Sequence, residues 1–141
     1  NDMIARYLTE QLGHKRLLSH GRDDREEVIK FHETSDKPTV LLSPSMMEGV
    51  DLADDMSRFQ ILCKVPFPYL GDAAIKKRME NNKGWYDYQT VKSVVQALGR
   101  SIRNKDDHAE SYILDADWER FYGRSRHMFP EEFTNALVVN S

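Results

Sequence analysis

Gln96, Arg100 and Arg103 have the types and spacing for phosphate chemistry. At about 100° per residue they fall in one narrow stripe of a helix. Two guanidinium groups three residues apart offer planar donor forks that match phosphate oxygens and stay charged at any physiological pH. Gly99 borders the stripe and removes a side chain that would hinder close approach. Inside a helix a glycine costs about 1 kcal/mol relative to alanine, which calls for a local reason. The same pattern also describes a solvated helix face with two surface arginines, and spacing alone leaves both readings open. A second segment, Ser43-Pro44-Ser45-Met46-Met47-Glu48-Gly49-Val50-Asp51-Leu52, follows a short apolar run. Ser43 and Ser45 bring hydroxyls suited to phosphate oxygens, Glu48-Gly49 permits a tight backbone path, and Asp51 adds a carboxylate. The plainer reading is a loop with a glycine turn and an aspartate bonded to its own backbone.

The elements that must position these groups alternate. Ile4, Tyr7, Leu8 and Leu12 recur at helical spacing over Asp2 to Leu12, and Gly13 is a stop signal. A short strand is expected around Leu17 and Leu18. Asp23 and Glu26 then lead into a second helix carrying Val28, Ile29 and Phe31. Val40 to Leu42 and Phe59 to Val65 read as strands apolar on both faces, which suits a parallel sheet covered by helices. A charged helix over Ala73 to Glu80 meets a turn-like break at Asn81 to Gly84. A long helix from Tyr88 to Arg103 follows, with Val91, Val94, Val95, Leu98 and Ile102 on its apolar side. A strand at Tyr112 to Leu114 and short helices near Trp118 and over Glu131 to Val138 complete the pattern, an α/β arrangement. Ligands of such sheets gather at the carboxyl ends of the strands, where Ser43 falls.

The chain has 141 residues, 40% apolar and 30% charged, enough for one domain with its own core. A net charge of −3 provides no global basic field, so any nucleic-acid contact must be local. The single cysteine, Cys63, excludes an internal disulfide, a cysteine zinc site or an iron–sulfur cluster within this chain, and in its apolar run it reads as a small core residue. The five histidines show no metal-ligand spacing, so no metal site is expected. Trp85, Tyr86 and Tyr88 read as packing anchors, Lys76-Lys77-Arg78 as a solvated face, and Met46-Met47 as packing beneath a loop. No signal or membrane-spanning pattern is present.

Taken in order, the motifs resemble those of a known family. Gln96-x-x-Gly99-Arg100-x-x-Arg103 is similar to the sixth motif of superfamily-two helicases. Ser43 through Asp51 resembles the fifth motif in its DinG/XPD form, and Lys64-Val65-Pro66-Phe67-Pro68 resembles an element lying between them in that branch. The resemblance covers nearly the whole chain. It implies the second RecA-like motor domain of a DNA helicase: a three-layer α/β sandwich around a mostly parallel central sheet, here without its first strand and without the first motor domain. Arg100 and Arg103 would reach the γ-phosphate, one as an arginine finger, and Gln96 would face the γ-phosphate or the attacking water. Glu48, Gly49, Asp51 and Gly99 would border the nucleotide, while Ser43 and Ser45 would contact single-stranded DNA.

The resemblance further implies ATP and Mg²⁺ in the full-length enzyme, bound mainly by the first domain. Any iron–sulfur cluster would also lie outside this chain. Partners would be single-stranded DNA and the first RecA-like domain, with no membrane; separately, a truncated sheet edge would leave room for self-association. Location would be cytoplasmic and DNA-associated. No Gly-x-x-x-x-Gly-Lys-Ser/Thr loop and no Asp-Glu-x-His box occurs, so the chain alone is expected not to hydrolyse ATP. Two other classes stay open: a degenerate RecA-like domain acting as a nucleic-acid or protein binding module, and an unrelated Rossmann-like nucleotide-binding domain.

Overall fold

The computed structural model describes residues 2–44, 52, 56–99 and 108–138. Its elements run α1 (Asp2–Leu12), β1 (Leu17–Ser19), α2 (Arg25–Thr34), β2 (Val40–Leu42), β3 (Phe59–Leu62), α3 (Ala73–Asn81), α4 (Lys83–Leu98), β4 (Glu110–Ile113), α5 (Trp118–Ser125), a 3₁₀ turn (Arg126–Met128) and α6 (Glu131–Ala136). Both strand pairings are parallel, β1 with β2 and β3 with β4, each joined through helical connections. The α/β class with parallel pairing is therefore as expected, and among the described residues the strands form two such pairs.

Local chemistry explains most boundaries. Gly13 takes φ +80, a left-handed conformation easy only for glycine, and its amide bonds back to the Thr9 carbonyl at 2.9 Å to close α1. Asp72 caps α3 with its carboxylate on the amides of Ala74 and Ile75. The expected break at Asn81 to Gly84 shrinks to Asn82 alone. Its amide bonds the Arg78 carbonyl to end α3, while its side-chain oxygen accepts from Gly84 and Trp85, each at 3.2 Å, to begin α4. So α4 starts five residues before Tyr88.

The core lies between α4, α5 and the segment after β3. Val65, Val91, Val94, Phe121 and Phe129 are buried, with Leu62, Phe67, Trp118, Tyr122 and Phe133 packed around them. Phe67 meets Phe121 edge-on at 5.3 Å, and Tyr86 donates to the Pro68 carbonyl at 3.0 Å. Burial pushes the Tyr86 phenol up, reinforced by the Asp87 charge and opposed by Arg124. Arg124 forms a two-pronged bond to Asp87, at 3.1 and 3.0 Å, tying α5 to α4. The buried hydroxyls of Thr90 and Ser125 each donate to the carbonyl one turn back, so neither is orphaned.

Several expectations need correction. β3 ends at Leu62, not Val65, because the ladder stops there and the Val65 amide turns to the Asp115 carboxylate at 2.7 Å. Cys63 is consequently exposed rather than in the core. Strand β3 is not apolar on two covered faces: Phe59 and Ile61 are about half exposed, as is Tyr112 on β4, and Leu114 just beyond it is 66% exposed. β4 itself begins two residues earlier than expected and ends at Ile113, since Glu110 pairs with Phe59. Tyr7, Phe31 and Tyr88 face outward instead of packing, whereas Trp85 and Tyr86 are half-buried as anchors. Lys76, Lys77 and Arg78 form an exposed face as expected.

Candidate functional site

The motif of Ser43 begins where β2 ends. The strand is three residues long and half-buried throughout, held by parallel pairing with β1. Ser43 is half-buried just beyond it, with its Oγ 2.7 Å from Nε2 of His20, the residue just beyond β1. The other ring nitrogen lies 2.8 Å from the Gly21 carbonyl oxygen. That carbonyl can only accept, so Nδ1 donates and the ring is fixed edge-on between two strand ends. Ser45, Glu48, Gly49 and Asp51 lie outside the described residues.

A second histidine holds the far side of the same segment. His32, on α2, sits 2.6 Å from Thr39 Oγ1 and 3.1 Å from the Met56 carbonyl oxygen. Nε2 must therefore donate to Met56, and in the neutral ring Nδ1 accepts from the Thr39 hydroxyl. Leu52, between these anchors, is buried. Two imidazoles thus tie down the chain on either side of the serine-rich motif.

The second motif starts on α4. Gln96 is an exposed residue of this helix, beside the half-buried Val95 and Leu98. Gly99 is not in a helix interior, as expected from the sequence, but at the C-cap, with φ −77 and its amide on the Val95 carbonyl. A Cβ built at Gly99 would meet nothing within 4 Å, so neither backbone strain nor packing among the described residues requires glycine there. Arg100 and Arg103 lie outside the described residues.

What fixes the end of α4 is a residue the sequence reading missed. Gln60, at an inward position of β3, spends both hydrogens of its Nε2: one on the Leu98 carbonyl at 2.6 Å, the other on Ser111 Oγ of β4 at 3.0 Å. Carbonyls in the last turn of a helix have no partner within it. Gln60 supplies one and binds the helix end to both strands. Its only signal in the sequence is an amide at an inward position of the apolar run Phe59–Leu62. His20 and His32 gave no signal, since their partners are distant in the chain.

Asp115, two residues beyond β4, accepts from the Asp117 amide at 2.9 Å and from the Val65 amide. The Asp117 amide holds its carboxyl below the usual 3.8; partial burial opposes this, and the Val65 amide and the Lys64 charge add to it. Among the described residues, no group of three metal-ligating side chains comes together, and no helix is long and apolar enough to cross a membrane.

The helicase C-terminal domain family matches residues 1–136, almost the full chain. The chain belongs to this family. Its relatives place it in the DinG/XPD-like branch. It is 26% identical over 106 residues to the Caenorhabditis elegans "Regulator of telomere elongation helicase 1 homolog", covering 64% of this chain and 10% of that protein. It is 29% identical over 117 residues to the Vanderwaltozyma polyspora "ATP-dependent DNA helicase CHL1", covering 68% and 14%. With the Culex quinquefasciatus regulator homolog it shares 32% identity over 106 residues, covering 64% and 11%. This helicase C-terminal domain therefore spans between 10% and 14% of the length of these relatives.

Proposed function

We propose that this helicase C-terminal domain is the second motor domain of an ATP-dependent DNA helicase, working against a first RecA-like domain that brings the ATP and its Mg²⁺. In this reading Arg100 and Arg103 project to the γ-phosphate, one as an arginine finger, with Gln96 beside the γ-phosphate or attacking water. A guanidinium set against the charge that builds on the transferred group accelerates hydrolysis by roughly 10³–10⁵ in related systems. Glu48, Gly49, Asp51 and Gly99 border the nucleotide and link it to the strand-binding side. Ser43 and Ser45 contact single-strand phosphates. Magnesium would enter with ATP on the first domain.

The observation that carries this reading is mechanical. The two motifs leave anchored ends: Ser43 at a strand terminus fixed by His20, and Gly99 at a helix terminus fixed by Gln60. Groups that must meet a phosphate without reorganising need such supports. The relatives named as ATP-dependent DNA helicases support the same activity. The test is ATP hydrolysis by the full-length protein, with and without single-stranded DNA, beside Arg103→Ala. DNA-stimulated turnover falling by roughly 10³-fold or more in the variant is expected. Turnover by the 141-residue chain alone, lost with the same arginine, would overturn the division of labour.

A further inference from the structure

The loop after β3 holds an aromatic ring out to solvent on a backbone pinned at both sides. Phe67 packs edge-on against Phe121, the Pro68 carbonyl accepts the Tyr86 hydroxyl at 3.0 Å, and the Tyr69 carbonyl accepts the Asp72 amide at 3.2 Å. Pro66 and Pro68 each fix a φ, and Asp72 leads straight into the cap of α3. Between these points Tyr69 is 78% exposed, the most exposed aromatic among the described residues.

Gly71 gives that ring its seat. Its backbone is not left-handed, so conformation does not demand a glycine there. A Cβ built at Gly71 would instead fall on Cε1, Cζ and Oη of Tyr69. The phenol end of the ring thus rests where a side chain would stand, and the remainder is open to solvent. Among the described residues no ring, cation or hydrogen-bonding group engages the Tyr69 side chain, whereas Trp85 already lies under Arg78 at 5.7 Å. A ring held in place with its surface unused is prepared for stacking, because little freedom is left to lose on binding.

Charge beside the ring narrows the partner. Helix α3 begins four residues beyond Tyr69 and carries three cations, Lys76, Lys77 and Arg78, against one carboxylate, Glu80. Asp72 spends its carboxylate on the amides of Ala74 and Ile75. Lys76 and Lys77 are exposed and form no ion pair among the described residues. In a chain of net charge −3 this is a local positive field, next to an open aromatic and beyond the carboxyl end of a strand.

We infer that Tyr69 is a stacking residue for a base of single-stranded DNA, with Lys76 and Lys77 supplying positive charge for its phosphates. This rests on the helicase reading above and adds a base contact outside the two motifs. Every base has a π-face, so the contact tolerates any sequence, as a motor moving along a strand requires.

The experiment measures the affinity of the full-length protein for oligothymidylate and for an abasic strand of equal length, beside Tyr69→Ala, Tyr69→Phe and Lys76→Gln with Lys77→Gln. Tyr69→Ala should weaken oligothymidylate binding roughly five-fold or more and leave the abasic strand unchanged. Tyr69→Phe, which keeps the ring and removes the hydroxyl, should bind both strands as the parent does. The double lysine variant should weaken both strands alike and flatten the dependence of affinity on salt. If Tyr69→Ala changes neither strand, or both equally, stacking is refuted, and the ring is left to a protein surface. An unchanged salt dependence would strike the two lysines from the site. If the parent binds neither strand, the helicase reading itself fails, an outcome separate from the other two.

Discussion

Replacing Gln60 should loosen the end of α4 and, through it, the motor action proposed for this domain. Gln60→Leu keeps the side chain's approximate volume but removes both Nε2 hydrogen bonds, at 2.6 and 3.0 Å. Each neutral bond is worth about 0.5–1.5 kcal/mol net, and the Leu98 carbonyl loses its side-chain partner. Greater apolar burial returns part of this, for a loss of roughly 2 kcal/mol. In a chain of this size that lowers the thermal midpoint by about 6–10 °C. Gln60→Glu is nearly isosteric and should be worse, because a carboxylate oxygen would oppose the Leu98 carbonyl oxygen. Urea unfolding gives the stability, and amide hydrogen exchange gives its location: the Gly99 amide, bonded to Val95, should exchange faster in both variants. In the full-length protein kcat for ATP should fall while strand affinity holds. Stability within about 0.5 kcal/mol of the parent, with unchanged exchange at Gly99, would refute the assignment of Gln60 as the clamp.

Two further outcomes follow from side chains that join elements. Asp115→Asn leaves one oxygen to serve the amides of Val65 and Asp117, so urea unfolding at neutral pH should show lower stability. The folded Asp115 carboxyl lies below its usual 3.8, so its stabilisation is full above that value and fades as pH falls through the folded one. The gap between parent and variant should therefore close in acid, and a gap that widens there would contradict the assignment. A double-mutant cycle on Arg124→Ala and Asp87→Ala should give a coupling of about 0.5–1 kcal/mol, modest because Arg124 is 46% exposed. A coupling near zero would assign Arg124's contribution to its stacking over Phe121, at 5.2 Å, instead of to the ion pair.

Periodicity made the elements legible, because a buried stripe repeats within one window of sequence. Val91, Val94 and Leu98 revealed the face of α4 that packs, and Val40 to Leu42 revealed a strand. Boundaries failed where one residue did two jobs. Asn82 both ends α3 and begins α4, so a cluster of asparagine, lysine and glycine that resembles a loop contains a single non-helical residue. The end of β3 failed because Val65 bonds a carboxylate 50 residues away instead of a neighbouring strand. The strand end at Ser43 was readable from the sequence, although Gly99 was expected inside a helix and not at its C-cap. Their supports, Gln60 and His20, were not readable, for each acts on a partner 38 or 23 residues distant that no local pattern reveals.

The two strand pairs also set an order of events as the chain folds. β1 meets β2 by joining Leu17 to Val40, a separation of 40 − 17 = 23 residues, whereas β3 meets β4 by joining Phe59 to Glu110, 110 − 59 = 51 residues apart. The longer closure costs only about 0.7 kcal/mol more in chain entropy, but nothing on the ladder offsets that cost until both strands arrive. During synthesis the β1–α2–β2 unit, which carries the histidines and Ser43, can form while β4 is still being made. Phe59 and Ile61 wait meanwhile as an unpaired apolar strand. That interval is when this domain is most open to wrong pairing, and it ends only when Glu110 to Ile113 reach β3.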